Sequence, residues 1–503
     1  MACHQNPNLE LSLTRRVVIF MIGIIESMLF GGAVFGWPQL VHVLKVEGIY
    51  SDLCMDSPSA PNHTRRQPSA ADTFNNTRCI NLNTTFEISD SKAIGVEKCD
   101  PQDERFALIY TVTVCCYSIP GILVGYLLHH AGLRVTRVSG GTMLSMGFLF
   151  LGIATKDSPH WLFPAMILLA LGGNQTRMSV MQFGDLFPDY RATAITMLSG
   201  MYAASAALFL VFQYTAMAGI PRAHVCWALA AISSLSIFLS FIIPVHHIPI
   251  HNQQSQNQDV IESPSPLKTS LCSASSFLHQ LWFFVHLLAV NNYQQSYNVW
   301  ITSSSCSVAE AGLYSMLFSY SNILTVFFGP IGGVFTDYMI RKAYNTPNEL
   351  DRRVKEVQAS FWPLLVTSVF NTVMYGCLLF FHPAAIYVSL LCMLVARPCI
   401  IAVSTAYLRI RFPAGHFNRL LGIYGTVGSV LLFLQYPHFM WAQHMYYAAH
   451  ALILAVLAVS YLNPIHLLFT PLIRHAVVIR DNLKPEDLHP VRNTYADKEV
   501  NGL

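Results

Sequence analysis

The sequence predicts an all-α membrane protein, and two observations lead to that fold class. Apolar stretches recur about twelve times along the 503 residues, six on each side of a polar segment at residues 246–276. A helix of about 20 apolar residues crosses a bilayer, so each stretch predicts one span. The composition agrees, because 53% of the residues are hydrophobic and 11% are charged, whereas a soluble domain is about 25% charged.

The spans divide into an N-terminal six-helix bundle at residues 17–245 and a C-terminal six-helix bundle at residues 277–470. The first stretch follows Arg16, is too long for the apolar core of a signal peptide and has no cleavage site after it. It therefore predicts a permanent first span. The twelve spans are predicted at residues 17–44, 106–129, 135–155, 161–183, 192–218, 224–245, 277–300, 311–336, 361–381, 384–408, 420–442 and 446–470.

The distribution of basic residues predicts how the chain crosses the membrane. Lys and Arg are enriched in cytoplasmic connections. If the N-terminus is inside, the short outer loops hold little more than Lys156 and Arg222, so both termini are predicted to be cytoplasmic. The basic residues then assigned to cytoplasmic connections are Arg134, Arg137, Arg191, Arg341, Lys342, Arg352, Arg353, Lys355, Arg409, Arg411 and Arg419.

The long connection at residues 45–105 falls outside the cell in this orientation. It carries three Asn-X-Thr sequences, which predict glycosylation of a surface loop, and three cysteines in a compartment where disulfides persist. A Cys54–Cys99 disulfide is predicted to brace the ends of the loop, which leaves Cys79 free. The predicted glycosylated residues are Asn62, Asn75 and Asn83.

Three polar segments lie outside the bundles. Residues 246–276 are rich in Gln, Ser and Pro and are too polar to form a packed core, so they predict a cytoplasmic linker. Residues 1–16 predict a cytoplasmic N-terminus. Residues 471–503 predict a mobile cytoplasmic tail.

Enzyme chemistry is not indicated by the sequence. It contains no H-E-x-x-H, no G-x-S-x-G and no P-loop signature. The twelve cysteines show no C-x-x-C spacing, so neither a metal nor a cofactor is predicted. Basic residues lie in short membrane-proximal loops and form no nucleic-acid-binding patch.

The predicted partners are the lipid bilayer and a small-molecule substrate, with the oligomeric state left open.

Two charged residues lie deep inside predicted spans, Glu26 in span 1 and Arg397 in span 10. Charge at that depth is costly and points to function. Twelve spans in two matched halves are typical of solute carriers. In a carrier of two bundles, spans 1, 4, 7 and 10 line the central cavity, so Glu26 and Arg397 are expected to face each other. A gate or substrate-orienting pair and a purely structural ion pair both fit the residues. Glu26 is the one carboxylate that qualifies for the pathway, which favours uncoupled transport.

Uncharged polar side chains in several spans are further candidates for substrate contact. Side-chain amides donate and accept hydrogen bonds, and aromatic rings stack, so together they suit a neutral, planar ligand. Hydrogen bonding between helices is the alternative. Arg177 in span 4 is of uncertain depth. The candidate residues are Gln182 in span 4, Asn291, Asn292, Tyr293 and Gln295 in span 7, and Gln435 in span 11.

The loop after span 2 resembles a motif of the major facilitator superfamily, G-x-x-x-D-R-x-G-x-R, with His129 and His130 in place of the Asp and Arg. The segment after span 8 keeps the acidic position. The motif holds the cytoplasmic ends of two helices in one conformational state. The resemblance implies that role for Gly125, Gly132, Arg134, Gly333 and Asp337. Glycines are also predicted to allow close helix approach at Gly121, Gly125, Gly329, Gly332 and Gly333.

Further segments, spread over nearly the whole chain, resemble solute carrier family 43. Within that family they look more like its nucleobase-transporting member than its amino-acid facilitators, and the compact central linker agrees. The segments are Glu26, Phe35-Gly36-Trp37-Pro38, Asp103-Glu104-Arg105-Phe106, Leu186-Phe187, Arg191 with Thr193, Arg397, Phe412-Pro413, His416-Phe417 and Leu434-Gln435-Tyr436-Pro437.

This resemblance implies the major facilitator fold and an activity. The activity is sodium-independent facilitated diffusion of purine bases such as adenine, guanine and hypoxanthine across the plasma membrane. Two alternatives remain open at this point. One is a facilitator of large neutral amino acids on the same scaffold, and the other is a non-transporting membrane receptor or scaffold.

Overall fold

A computed structural model describes residues 12–55, 100–187, 191–241, 267–344, 346, 348–412 and 414–481. These residues are almost entirely helical, and no strand occurs among them. The helices of the first half are α1 (Leu13–Glu26), α2 (Trp37–Val46), α3 (Asp52–Met55), α4 (Asp100–Ser118), α5 (Gly121–His130), α6 (Gly132–Ile153), α7 (Leu162–Met181), α8 (Arg191–Ala204), α9 (Leu210–Met217) and α10 (Arg222–Leu239).

The second half is also helical, and one of its helices extends well beyond the predicted span 8. The helices are α11 (Leu267–Leu271), α12 (Ala274–Ser304), α13 (Val308–Tyr344), α14 (Glu349–Gln358), α15 (Phe361–Gly376), α16 (Pro383–Arg411), α17 (Ala414–Leu431), α18 (Gln435–His444), α19 (Tyr446–Ser460), α20 (Leu462–His466) and α21 (Thr470–Asp481).

Seven helical segments among the described residues are long and apolar enough to cross a membrane, and a bent pair in span 1 makes eight. The count of twelve spans stays a prediction. Large apolar side chains such as Leu123, Phe238, Phe327 and Leu391 are more than 60% exposed, as expected where a helix faces lipid. The seven segments are Asp100–Leu128, Met197–Met217, Arg222–Leu239, Ala309–Phe328, Leu350–Leu379, Pro383–Leu408 and Tyr446–His466.

Each half is held together by closely packed helices. In the first half α6 packs against α7 and α10, and in the second half α16 packs against α13 and α15. A Cβ on Gly172 would lie 2.7 Å from the carbonyl oxygen of Gly140, so glycine allows α6 and α7 to approach. Close approach at Gly121 and Gly125 is a wrong prediction, because a Cβ at either would meet nothing within 4 Å.

The two halves meet along several helices. α8 of the first half packs against α13 of the second, α5 packs against α17, and α2 packs against α12. One apolar core contains residues of both halves, from Phe30 to Leu457. The interface between the halves is therefore formed by helices of both.

Span 1 is broken in its middle. α1 continues into a π turn (Ser27–Gly31), and a 3₁₀ turn (Ala33–Gly36) precedes α2, with a bend of 44° between the two parts. The backbone N–H of Gly32 donates to the Ser205 hydroxyl at 2.7 Å, which satisfies a donor freed by the break. A Cβ on Gly36 would overlap the carbonyl oxygen of Ala206, so the break rests directly on span 5.

The end of the bundle that carries Glu47, which we call the Glu47 end, is tied by one buried and one partly exposed ion pair. Lys45 of α2 pairs with Asp103 of α4, and both side chains are 4% exposed. Nε of Arg222 donates to Glu47 at 2.8 Å, and the same guanidinium donates to carbonyls at the end of α6. Cations complement the C-terminal carbonyls of a helix.

Two polar segments predicted to lack structure contain helices. α11 lies within the predicted linker, and α21 occupies the start of the predicted tail. Ile473 and Val477 lie four residues apart on one face of α21 and are fully buried, in a core that includes Leu350 and Val354 of α14. That apolar face explains why the segment folds despite its polar composition.

The glycosylation and disulfide predictions fall largely outside the described residues. The structure does not describe Asn62, Asn75, Asn83 or Cys99, so these assignments stay predictions. Cys54 is disulfide-bonded, and so is Cys306, just before α13. The sequence had not singled out Cys306.

Candidate substrate site

Glu26 is buried, but its partner differs from the predicted one. Both carboxylate oxygens lie 2.6 Å from Nη2 of Arg137, and the Ser236 hydroxyl donates to Oε1 at 2.6 Å. The predicted Glu26–Arg397 pair is therefore wrong. Arg137, which the sequence pattern assigned to a cytoplasmic connection, lies inside α6 and is 3% exposed. The carboxylate is neutralised inside one half.

The polar run of α12 has two faces, as helical periodicity requires. Asn291, Gln294 and Gln295 face the first half. The hydroxyl of Tyr110 donates to Oε1 of Gln294 at 2.8 Å and approaches Oδ1 of Asn291 at 3.5 Å. Nε2 of Gln295 donates to the carbonyl oxygen of Ala107 at 3.4 Å. This face meets the other half of the protein.

Asn292 and Tyr293 point the other way, into the second half. Nδ2 of Asn292 lies 2.7 Å from Nδ1 of His438, and the Tyr293 hydroxyl lies 2.8 Å from Oγ of Ser389. Both side chains are fully buried. For these two candidates, the structure favours the alternative of hydrogen bonding between helices.

Polar side chains join the halves in a layer toward the Glu47 end, which we call the interhalf polar layer. Nε2 of Gln435 donates to Oγ1 of Thr111 at 3.1 Å, and Gln39 donates to the carbonyl oxygen of Ser315. Oε1 of Gln435 is buried and lacks a partner. The layer comprises Gln39, Tyr110, Thr111, Asn291, Gln294 and Gln435.

An arginine–aromatic cluster lies beyond this layer. Tyr117 follows Tyr110 by seven residues on α4, which places it about 10 Å further along the same helix face. Its ring centroid lies 5.1 Å from that of Phe35 and 6.3 Å from that of Tyr202. The guanidinium carbon of Arg177 lies 5.6 Å from the Tyr117 centroid and 5.4 Å from the Tyr202 centroid.

Arg397 completes the cluster from the second half. Its guanidinium carbon lies 5.3 Å from the centroid of Phe35, and Nη1 donates to Oδ1 of Asn322. The residue is 7% exposed, and Nη2 is buried without a partner. Pro398 follows it inside α16 and removes one helical N–H. We define the arginine–aromatic cluster as Phe35, Tyr117, Arg177, Tyr202 and Arg397.

The remaining predicted residues lie apart from these contacts. Gln182 is half-buried at the end of α7, and its Oε1 has no partner. Gly132 joins α5 to α6 with a φ of +84°, a conformation that glycine adopts without strain. Arg134 donates to the carbonyl oxygen of Phe241 at 3.4 Å. Gly125 lies in α5, and Gly333 and Asp337 lie in α13.

Three members of the cluster were not among the candidates drawn from the sequence: Tyr117, Tyr202 and Arg177. Arg177 gave a partial signal, as a charged residue within a predicted span. The two tyrosines gave none, because an aromatic residue in an apolar helix is ordinary core material. Phe35 stood in a segment that resembled a family, without a role attached to it.

The arrangement suits the binding of a small planar molecule. Aromatic rings offer stacking surfaces, guanidiniums offer hydrogen-bond donors, and nearby amides offer both donors and acceptors. Helices of both halves contribute, so bound ligand would be held between two bodies. Such a site between two helical halves is typical of membrane transporters.

The chain belongs to the major facilitator superfamily. The model of that family matches residues 95–435, more than half of the chain. The all-α fold predicted from the sequence is confirmed by this match and by the helical structure. The class of protein that fold and site define is thus a multi-pass membrane protein of transporter type.

Individual relatives are also transporters. The chain is 24% identical over 473 residues to equilibrative nucleobase transporter 1 of Bos taurus, covering 85% of this chain and 90% of that protein. It is 24% identical to large neutral amino acids transporter small subunit 3 of Homo sapiens, covering 48% of this chain and 40% of that protein. It is 22% identical to cationic amino acid transporter 8 of Plasmodium berghei (strain Anka), covering 66% of this chain and 71% of that protein. The first similarity confirms the resemblance inferred from the sequence segments.

Proposed function

We propose that the protein is a sodium-independent facilitative transporter of purine nucleobases, such as adenine, guanine and hypoxanthine, in the plasma membrane. Substrate binds between the two halves, which rock about it by alternating access. Both termini face the cytoplasm in this proposal, so the Glu47 end is extracellular. The extensive similarity to a nucleobase transporter supports the choice of substrate.

The pairing of Glu26 within the first half favours a neutral substrate over an amino acid. An amino acid brings an ammonium group that needs an anionic or acceptor partner. Glu26, the carboxylate expected in the pathway, is occupied by Arg137 and Ser236. The arginine–aromatic cluster instead offers rings and donors, and a neutral planar base needs no carboxylate.

The interhalf polar layer supports the proposed mechanism. It joins the halves at the Glu47 end by side-chain hydrogen bonds that a rocking motion would break and remake. The described conformation would then be the one closed to the outside. Gln435 and Asn291 would contact substrate near that layer, and Arg397 would contact it in the cluster.

Uptake by the purified protein in liposomes tests the proposal. We expect uptake of radiolabelled adenine, guanine and hypoxanthine down their gradients, and no uptake of leucine above that of empty liposomes. Replacing sodium with choline should leave the rates unchanged, because no carboxylate-lined ion site is invoked. A strong loss of uptake without sodium would exclude a uniporter.

A facilitator of large neutral amino acids is the second candidate. Arg397 favours it, because a guanidinium whose Nη2 has no hydrogen-bond partner is also a good partner for a carboxylate. Leucine uptake without purine uptake would establish this alternative and reject the nucleobase proposal. If the correctly folded protein moved neither class of molecule, a receptor or scaffold role would be favoured instead.

A further inference from the structure

Within the described part of the chain, neither arginine of the cluster has a carboxylate partner. The ion pairs of the described residues use Lys45, Arg137, Arg222, Arg352, Arg353 and Arg474 as cations. The bonds of Arg177 and Arg397 go to the amide oxygens of Asn174 and Asn322. Among the described residues, no carboxylate therefore neutralises either guanidinium in the centre of the bundle.

An uncompensated guanidinium in this position is costly. Burial of a charge without an ionic partner destabilises a protein strongly, and intramembrane charges that persist are associated with function. Arg397 is 7% exposed and its Nη2 lacks any partner, while Nε of Arg177 is likewise buried and unpartnered. A ligand that entered the cluster would supply the hydrogen-bond acceptors that these donors lack.

Guanidinium chemistry restricts which edge of a purine can accept hydrogen bonds from Arg177 and Arg397. Arginine has hydrogen-bond donors and no acceptor. A purine with a carbonyl at C6 presents two adjacent acceptors, O6 and N7, which arginine binds in a bidentate manner. Adenine presents N7 beside an amino group, and that donor would face another donor. Asn and Gln, which offer both functions, are the side chains that match adenine.

We propose that the arginine–aromatic cluster selects 6-oxopurines over adenine, with Arg397 binding the O6/N7 edge of the base. The rings of Phe35, Tyr117 and Tyr202 supply the stacking surface. This inference rests on the proposed nucleobase transport and narrows it to one chemical group of purines.

Asn322 acts as a positioning residue for Arg397. Its Oδ1 accepts from Nη1 of Arg397, and its Nδ2 donates to the carbonyl oxygen of Phe318 at 2.8 Å. The asparagine is fully buried. Both of its polar functions are thereby used, and Nη2 of the guanidinium stays available to the base.

Initial uptake of hypoxanthine and adenine, at concentrations far below saturation, tests the inference in proteoliposomes. The unmodified protein should prefer hypoxanthine by about fivefold or more, since a bidentate pair discriminates by about 1–3 kcal/mol. Arg397→Gln should reverse the preference toward adenine. Arg474→Gln removes an exposed guanidinium on α21 and should leave the ratio unchanged.

A second variant tests the free guanidinium without removing it. Asn322→Asp places a carboxylate beside the Arg397 guanidinium, in a side chain of nearly the same shape as asparagine. Hypoxanthine uptake should therefore fall, while adenine uptake falls less. An unmodified protein that takes up adenine as well as hypoxanthine would overturn the inference, as would an unchanged ratio in Arg397→Gln. Either result leaves purine transport intact, whereas the loss of all purine uptake in the unmodified protein would reject the proposed function itself.

Discussion

Glu26 and Arg137 join three helices of the first half through one buried ion pair. α1 supplies the carboxylate, α6 the guanidinium and α10 the hydroxyl of Ser236. Arg137 also lies over the ring of Phe183, 5.6 Å from its centroid. A buried pair of this kind stabilises little by itself, but each partner is strongly dependent on the other.

Removal of one partner should therefore lower the stability of the protein, and removal of both should restore most of that stability. We expect Glu26→Leu to lower the free energy of unfolding by about 3–5 kcal/mol, because Arg137 is left buried and charged. The double variant Glu26→Leu, Arg137→Met should recover most of that loss. Thermal unfolding of the detergent-purified variants measures both effects.

The matched control combines Glu26→Leu with Arg397→Met. Arg397 bonds to Asn322, so its removal should give no recovery. Recovery with Arg397→Met and not with Arg137→Met would contradict the observed pairing.

The depth of Glu26 could be predicted from the sequence, and its partner could not. A carboxylate in the middle of a long apolar run must be buried wherever that run packs. The identity of its partner depends on which helices surround span 1, and that depends on three-dimensional packing. Arg137 follows Arg134 by only three residues, and the sequence pattern assigned both to the same cytoplasmic connection, so the burial of Arg137 was not evident.

At the scale of the helix, span 1 is broken where the sequence predicted one continuous span. The apolar run at residues 17–44 carries the right length and hydropathy, and it contains Gly31, Gly32 and Gly36. Glycine weakens a helix interior by about 1 kcal/mol relative to alanine. The break became evident from the contacts of Gly32 with Ser205 and of Gly36 with Ala206.

Gly36→Ala should separate the break from span 5. The new Cβ at position 36 would overlap the carbonyl oxygen of Ala206. A backbone carbonyl cannot rotate away from the clash as a side chain can. We expect a loss of about 1–3 kcal/mol in the free energy of unfolding, the usual cost of overpacking. Thermal unfolding measures it.

Gly425→Ala provides the matched control. Gly425 lies inside α17, and a Cβ there would meet nothing within 4 Å. Alanine should be neutral at this position or stabilise the helix by up to about 1 kcal/mol. Equal losses in both variants would show that the packing of Gly36 is not the cause.

The polar run of α12 illustrates what helical periodicity does predict. Positions 291, 294 and 295 recur on one face, and positions 292 and 293 fall on another. The sequence placed all of these polar side chains in span 7. It did not state which face meets the first half, because both faces are buried.

At the scale of the whole molecule, the proposed mechanism assigns to the interhalf polar layer the closure of the Glu47 end of the bundle. Tyr110 is its most connected member, since its hydroxyl meets both Asn291 and Gln294 across the interface. It also stacks on Trp37, with ring centroids 5.6 Å apart. The tyrosine ring thus belongs to one half while its hydroxyl bonds to the other.

Tyr110→Phe should shift the protein toward the conformation open at the Glu47 end. The substitution leaves the buried Oε1 of Gln294 without that donor, at a cost of about 1–3 kcal/mol to the closed conformation. Cys115 reports the shift, because it is 1% exposed and its Sγ approaches the carbonyl oxygen of Ser429 across the interface at 3.7 Å. We expect faster labelling of Cys115 by a small thiol reagent, measured by mass spectrometry.

Tyr375→Phe is the control for this experiment. Its hydroxyl lies 2.9 Å from Nδ1 of His450, and both residues belong to the second half. Its loss should leave the labelling rate of Cys115 unchanged. Labelling that rises in Tyr375→Phe and not in Tyr110→Phe would show that the layer does not control opening.

The composition of the interhalf polar layer has an energetic consequence for the proposed transport cycle. When that end opens, water replaces each hydrogen bond, so the net change is about 1 kcal/mol per bond. A dry apolar seal would cost about 25 cal/mol for each Å² exposed. A carrier driven by a concentration difference alone must also complete its return step with no cargo bound. In the proposed cycle, a wettable seal would keep both conformations within thermal reach during that empty return.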